Sequence, residues 1–166
     1  YPVNGNTKLA ISTQQVDATG LIGTYTLYAT AAYPTNRPEF FTPEFRTRAV
    51  YKTTITTTND FNNSTTSIAV GAWASAASPG DYMTANGPGG VQRGKGDFAQ
   101  AVAVNPNNPS NVFVGSVGQP YGIGLFESLD GGGTWININT GADGVGPHGY
   151  VHGMSFDRLN LLNVAT

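Results

Sequence analysis

The sequence predicts an all-β fold, and three observations support this prediction. Short β-branched or aromatic runs recur between clusters of Gly, Pro and Asn, which is the pattern of strands joined by turns. No stretch of a dozen residues repeats apolar positions at helical spacing beside a polar face, so amphipathic helices are not expected. Charged residues make up only 11% of the chain, which contains 22 glycines; this balance favours strands and turns.

Composition also limits the classes of function. The net charge is −2 and the eight basic residues are scattered, so the basic face that binds nucleic acid is not expected. No apolar run approaches the roughly 20 residues that span a bilayer. The chain has no cysteine, which excludes disulfides, thiolate metal sites and Cys nucleophiles. Low charge with abundant Thr, Asn and Gly favours an extracellular or cell-surface protein.

Residues 1–75 are predicted to form a β-rich segment. Three prolines between Ala32 and Pro43 predict a loop, because each proline removes a ladder donor. The last two strands of the segment are expected to form a hairpin around a turn at residues 59–63. The predicted strands are Lys8–Ser12, Leu21–Ala31, Phe45–Thr57 and Thr65–Ala74.

Two overlapping glycosylation sequons lie at the tip of that hairpin. Asn62 and Asn63 are each followed two positions later by Ser64 or Thr65. Such triplets are frequent by chance in a chain rich in Asn and Thr, so they are candidate modification sites only. The Gly/Pro-rich residues 76–97 that follow are predicted to be a long irregular loop.

The segment 98–140 carries the strongest motif. A strand, an Asn-Pro turn, a second strand and a short third strand lead into Ser128–Trp135. This octet matches the pattern S-x-D-x-G-x-T-W at every defined position. From Asp97 to Thr166 the chain resembles the Asp-box (BNR-repeat) β-propeller family, which includes sialidases, sortilin-like receptors and xyloglucanase-type hydrolases.

This resemblance implies a fold of antiparallel propeller blades of the Asp-box type. Residues 98–140 would form one blade, and residues 141–166 the start of the next. Because a blade takes about 40–50 residues, 166 residues hold roughly three or four blades, which predicts an incomplete ring or a fragment. Residues 1–75 are then either degenerate blades or a separate β-domain.

In this family the box is structural, and the residue types fit that role. Asp130 can accept hydrogen bonds from turn amides, and glycines supply backbone conformations that a Cβ would forbid. Trp135 is expected to pack against the blade interior. The structural Asp-box residues are Ser128, Asp130, Gly132, Thr134 and Trp135.

No catalytic residue is predicted. A sialidase-like site needs three converging arginines and a tyrosine paired with a glutamate, and none of the five arginines lies in the family's recognisable setting. A glycosidase needs two carboxyl groups about 5–10 Å apart. Asp81 and Asp97 are the acids nearest to a possible substrate face, but we interpret them as solvated loop acids.

Four residues are candidates for ligand binding. His148 and His152 are four residues apart, which places them on one face of a strand. With no third ligand nearby, we predict neither a metal site nor a cofactor. Tyr121 and Trp73 are aromatic side chains able to stack on sugars. Ordinary core or loop contacts are the plainer interpretation of all four.

Three functional hypotheses remain open. The first is a non-catalytic, extracellular or cell-surface propeller segment that acts as a scaffold for glycan or protein binding or for assembly. The second is a fragment of a secreted glycoside hydrolase of the sialidase or xyloglucanase kind. The third is a fibre subunit that completes its sheets by strand addition.

Overall fold

The computed structural model describes residues 7–35, 44–60, 62, 64–77, 84–86, 92–94, 100–117, 123–138, 151–157 and 159–165. Within these ranges every regular element is a β-strand, and all pairings are antiparallel. The all-β prediction is therefore confirmed. The same ranges contain no helix long and apolar enough to cross a membrane.

The N-terminal part forms a six-stranded sheet in the order β1-β3-β4-β5, with β2 on β3 and β6 on β4. The two long central strands provide most of the pairing, and the predicted hairpin is present between β4 and β5. The strands are β1 Thr7–Ile11, β2 Gln15–Val16, β3 Ile22–Thr35, β4 Glu44–Asp60, β5 Thr65–Val70 and β6 Ala74–Ala76.

The loop predicted from Ala32 is partly wrong, because β3 continues to Thr35. A register shift separates Ala31 from Ala32, and Pro34 then pairs with Phe45. Strand β1 reaches only as far as Ala31, so Pro34 lies where β3 has one neighbour among the described strands. A proline is tolerated there because its missing N–H removes no ladder bond on the open side. The rest of the predicted loop, 36–43, lies outside the described residues.

The predicted strand Thr65–Ala74 is also interrupted. Gly71–Trp73 separates β5 from β6, although both pair with β4. The interruption inserts one residue into the register, as a bulge does. The hydroxyl of Thr53 donates a 2.8 Å hydrogen bond to the carbonyl of Gly71 and holds the bulge against β4.

The prediction of an irregular region over 76–97 is wrong in one respect. β7 Thr84–Asn86 and β8 Gln92–Gly94 form a small antiparallel pair. Both strands consist of three residues without a β-branched or aromatic alternation, so the sequence carries no period-two signal for them.

The predicted blade segment, for which we keep the name blade, is a four-stranded antiparallel meander over residues 101–137 in the order β12-β11-β10-β9. Its order of strands is the predicted one, except that the turn is shorter: Asn108 and Pro109 already belong to β10, which has an irregularity before Val112. The first residues of the predicted opening strand, 98 and 99, lie outside the described residues. The strands are β9 Ala101–Asn105, β10 Asn108–Val117, β11 Ile123–Ser128 and β12 Ile136–Asn137.

A last hairpin follows, formed by β13 Gly153–Phe156 and β14 Leu162–Ala165. Both strands lie in the segment 141–166, which the resemblance assigns to the start of a further blade. The described strands form four separate sheets and no closed barrel or ring.

The blade is covered on both faces. On one face Val102, Val104, Val112 and Val114 form a buried cluster with residues of the six-stranded sheet, and on the other Ala101 and Leu125 pack with Val151. This follows from the period of two along each strand, which sends alternate residues to opposite faces.

The cluster between the blade and the six-stranded sheet is completed by Tyr28 of β3 and Val50 of β4, which are 2% and 0% exposed. Gln100, just before β9, is also buried and donates a side-chain hydrogen bond to the hydroxyl of Thr30. The six-stranded sheet and the blade therefore share one core.

Gly115 of β10 is predicted to be required for the close contact between the blade and Val151. A Cβ at this position would lie 2.8 Å from Cγ1 of Val151, which is 0% exposed. We expect Gly115→Ala to lower the free energy of unfolding by about 1–3 kcal/mol, as overpacking does, measured by urea denaturation. The matched control is Gly153→Ala, whose Cβ meets nothing closer than 3.9 Å. An equal effect of both variants would contradict close contact at Gly115.

Candidate functional site

The Asp-box turn between β11 and β12 is held together by its own side chains. The hydroxyl of Ser128 donates to Oδ1 of Asp130 at 2.8 Å and accepts from the amide of Gly132 at 2.8 Å. The amide of Thr134 donates to Oδ1 of Asp130 and its hydroxyl donates to Oδ2, both at 2.8 Å. The carboxylate of Asp130 thus accepts the turn amide expected from the sequence, together with two hydroxyls.

The glycines of the turn meet two different constraints. Gly131 and Gly132 have φ angles of 72° and 88°, in the left-handed region that favours glycine. A Cβ on Gly132 would lie 2.7 Å from that of Ala76, and a Cβ on Gly133 would lie 2.8 Å from Oδ2 of Asp130. The turn therefore requires glycine both for its backbone and for its contact with the six-stranded sheet.

The same hydrogen bonds fix the charge of Asp130. The Thr134 amide, followed by the hydroxyls of Thr134 and Ser128, lowers the pKa of Asp130 from 3.8 to about 2, because these donors stabilise the ionised carboxylate. A general acid needs a pKa near the working pH. Asp130 is therefore suited to hold the turn and unsuited to donate a proton.

Three polar contacts attach the turn region to its surroundings. The indole of Trp135 donates to the carbonyl of Ala77 at 2.7 Å. Nζ of Lys52, on β4, donates to the carbonyl of Gly131 at 3.0 Å, and the amide of Gly131 donates to the carbonyl of Ser110 at 2.8 Å. Trp135 also packs against the buried valine cluster of the blade. The Asp-box turn is therefore the polar seam between the blade and the six-stranded sheet.

Tyr28, on β3 of the six-stranded sheet, makes a further polar contact with the blade beside the Asp-box turn. Its hydroxyl donates to the carbonyl of Pro109 at 2.9 Å. Burial raises the pKa of Tyr28 above its ordinary value of 10.0, and the negative charge of Asp130 acts in the same direction. The phenol therefore stays protonated and keeps its role as a donor.

An open cleft lies along the seam, with a volume of about 350 Å³. This is within the range of roughly 300–1,000 Å³ found for small-ligand sites. The residues around it come from the six-stranded sheet and from the blade with its Asp-box turn. Most of them carry a hydroxyl group or have polar groups only in the backbone. They are Thr26, Tyr28, Lys52, Thr53, Thr54, Ala72, Ala74, Pro109, Ser110, Asp130 and Gly131.

The charged groups of the cleft are already engaged. The ammonium group of Lys52 is bonded to the turn carbonyl, and the carboxylate of Asp130 is bonded within the turn. Thr54 and Ser110, which carry hydroxyl groups, are exposed and line the cleft. The arrangement suits a neutral ligand rich in hydroxyl groups better than an ion.

The structure describes two of the four predicted ligand-binding residues, Trp73 and His152. Trp73 is 48% exposed and lies between β5 and β6, but it does not line the cleft. His152 is exposed and precedes β13, on the opposite face of the blade from the six-stranded sheet. His148 and Tyr121 lie outside the described residues. Trp73 and His152 therefore belong to different surfaces.

The predicted modification sites and candidate acids stand as follows. Asn62 is exposed in the turn between β4 and β5, where its backbone amide donates to Oδ1 of Asp60 at 3.0 Å. Asn63, Asp81 and Asp97 lie outside the described residues. No group of three His, Asp or Glu side chains able to hold a metal ion occurs in the part of the chain that the structure describes.

Sequence reasoning missed the contribution of the N-terminal sheet. Thr26, Tyr28, Lys52 and Thr54 line the cleft, yet they are about 75–100 residues away from the Asp box along the chain. One signal was present: polar residues at i and i+2 share one face of each strand. The sequence did not show that this face meets the Asp-box turn.

The chain matches no family model, no curated protein and no solved structure.

The depressed pKa of Asp130 predicts a defined pH dependence. Its ionisation stabilises the fold fully above the unfolded-state pKa of 3.8, and this contribution is lost as the pH falls toward about 2. We expect Asp130→Asn to be less stable than the wild type at pH 6, and the difference to shrink steadily below about pH 4. Urea denaturation of both proteins across this range measures it. A difference that is independent of pH would contradict the assignment.

The hydrogen bond from Tyr28 is predicted to contribute to stability. Tyr28→Phe leaves the Pro109 carbonyl without this donor, and we expect a loss of about 1–2 kcal/mol in the free energy of unfolding. Tyr25→Phe is the matched control, because Tyr25 lies on the opposite face of β3 and is expected to change stability by less than about 0.5 kcal/mol. Similar losses in both variants would argue against a specific role for the Tyr28 hydroxyl.

Proposed function

We propose that this chain is a non-catalytic segment of an Asp-box β-propeller, acting outside the cell or at its surface as a scaffold that binds glycans. The observation that carries the proposal is the state of the Asp130 carboxylate. Its oxygens accept hydrogen bonds from Thr134 and Ser128, and its pKa of about 2 keeps it ionised. The most distinctive acid of the chain therefore stabilises architecture.

A glycan is favoured as the ligand by the chemistry of the cleft. Sugars present many neutral hydroxyls, and the cleft offers hydroxyls from Thr26, Thr54 and Ser110 while its two charged side chains already have partners. Such a site binds through several modest hydrogen bonds, each with a net value of about 0.5–1.5 kcal/mol. When several such weak sites act together, the overall affinity for a multivalent glycan increases, as is typical of surface scaffolds.

The glycoside hydrolase hypothesis finds less support in the described residues. Catalysis by the common mechanism needs two carboxyl groups on opposite sides of the scissile bond, one of them with a raised pKa. Of the residues that the structure describes, Asp130 is the single carboxylate that lines the cleft, and its pKa is lowered. We therefore favour binding over cleavage at this site.

A binding experiment tests the proposal. We expect the purified chain to bind neutral oligosaccharides on a glycan array, and to release no reducing sugar from them on prolonged incubation. Thr54→Val is expected to weaken binding by up to about tenfold, equivalent to one lost hydrogen bond. Binding is followed by calorimetry with the best oligosaccharide from the array.

The matched control is Thr58→Val. Thr58 is also exposed and lies on the same face of β4, but outside the cleft, so this variant is expected to bind as the wild type does. Failure to bind any neutral glycan at millimolar concentration, or equal effects of the two variants, would refute glycan binding at the cleft.

A further inference from the structure

The outer edge of β5 carries none of the usual protection against pairing with another strand. β5 ends the strand order β1-β3-β4-β5, and among the described strands none pairs with its far side. Its sequence, Thr-Thr-Ser-Ile-Ala-Val, contains no charged residue, glycine or proline, and all six residues are exposed. The opposite edge, β1, carries Lys8. Charges and prolines are the usual means by which proteins protect edges from pairing, and β5 has neither.

The hydrogen-bond pattern shows which backbone groups of β5 face outward. The amide of Gly71 donates to the carbonyl of Thr54 at 2.8 Å, in the register that continues through the β4–β5 pairs. In an antiparallel ladder, hydrogen-bonded and non-hydrogen-bonded pairs alternate. Residues 65, 67 and 69 therefore bond to β4, and Thr66, Ile68 and Val70 direct their N–H and C=O groups to the free edge.

The side chains of these same residues form part of an apolar surface. Ile68 and Val70 are 68% and 63% exposed and pair with Thr57 and Ile55 on the outer face of the sheet. This face is opposite to the one that packs on the blade, because Tyr28 and Val50 point to the blade from the alternate positions. The edge thus offers backbone donors and acceptors beside uncharged, β-branched side chains.

We propose that β5 pairs with β5 of a second copy of this chain, antiparallel and around a two-fold axis at Ile68. In this register Ile68 faces Ile68 of the other copy, and Thr66 faces Val70. Each of the three facing pairs exchanges two hydrogen bonds, giving about six in all. The two strands can form hydrogen bonds only in registers in which Thr66, Ile68 and Val70 of one copy face these same residues of the other copy. With the two-fold axis at Ile68, all three residues of each copy are paired in this way.

A second copy fits this edge for two physical reasons. A two-fold contact juxtaposes each group with its own symmetry mate, so any charge near the axis would repel itself; β5 has none. Facing β-branched pairs such as Ile–Ile and Thr–Val are favourable in antiparallel sheets. The two six-stranded sheets would become one continuous sheet, with the apolar outer faces of both copies on the same side. This pairing does not involve the cleft, so an experiment that refutes the dimer leaves the proposed glycan binding standing, and the reverse also holds.

The first test is the oligomeric state of the full chain, by sedimentation velocity between about 1 and 100 μM. We expect a reversible dimer for the wild type. Ile68→Lys places two ammonium groups against each other at the axis, and we expect the dimer dissociation constant to rise at least tenfold. Leu9→Lys is the matched control, since Leu9 is 60% exposed on the same outer face but on the opposite edge of the sheet, and it is expected to dimerise normally.

Three results would overturn the proposal. A wild type that remains monomeric at about 100 μM excludes it, and so does a dimer that survives Ile68→Lys. Loss of the dimer in both lysine variants would mean that the outer faces stack instead of the edges pairing. Circular dichroism of each variant verifies that the fold is retained.

The second test probes the register and uses milder substitutions. The chain has no cysteine, so a single introduced thiol is unique. Ile68→Cys brings two thiols together at the axis, whereas Thr66→Cys leaves them roughly 13 Å apart along the strands. We expect a short bis-maleimide to link Ile68→Cys into a covalent dimer much faster than Thr66→Cys. Equal rates, or faster linkage of Thr66→Cys, would refute pairing around Ile68.

Discussion

The burial of β9 and β10 on both faces is the constraint on which the rest of the described structure depends. Val112 and Val114 are 0% exposed, and each such side chain stabilises the fold by about 1.5–3 kcal/mol when fully buried. A strand covered on one side only would leave half of this apolar surface in water. The blade therefore needs the six-stranded sheet on one face and the β13–β14 hairpin on the other, and its alternation of larger and smaller residues matches these two neighbours.

The Asp-box turn provides hydrogen-bond partners for backbone groups where the blade meets the six-stranded sheet. Where two sheets meet at the end of a strand, backbone groups lose water and must find other partners. Ser128 and Asp130 satisfy the amides inside the turn, while Lys52 and Tyr28 reach from the six-stranded sheet to the carbonyls of Gly131 and Pro109. The turn thus joins the two sheets by polar contacts at the edge of an apolar core, and the open cleft is the space left beside these contacts.

The two proposed interactions use different parts of the same sheet. The face of β3 and β4 that turns toward the blade contributes Thr26 and Thr54 to the cleft, and the free edge of β5 offers its backbone to a second copy. Since side chains alternate between faces, the residues that would bind glycan and the apolar residues beside the edge do not compete for positions. A dimer formed through β5 would present two clefts, and paired sites of this kind increase the effective affinity for a multivalent ligand.

The sequence by itself determined the all-β class, most strands and the local chemistry of the Asp box. These depend on short-range rules: period-two alternation, turn residues, and the fit of Ser128, Asp130 and Thr134 within eight positions. Tertiary structure alone decided that β3 runs on past Ala31, that β7 and β8 pair, and that Tyr28 and Lys52 meet the turn. Those features depend on which distant strands lie side by side. Backbone hydrogen bonds between strands are nearly the same for all residue types, so the sequence does not reveal which strands pair. That the chain belongs to a propeller remains a prediction from resemblance, because contacts between blades are made by segments that no local pattern links.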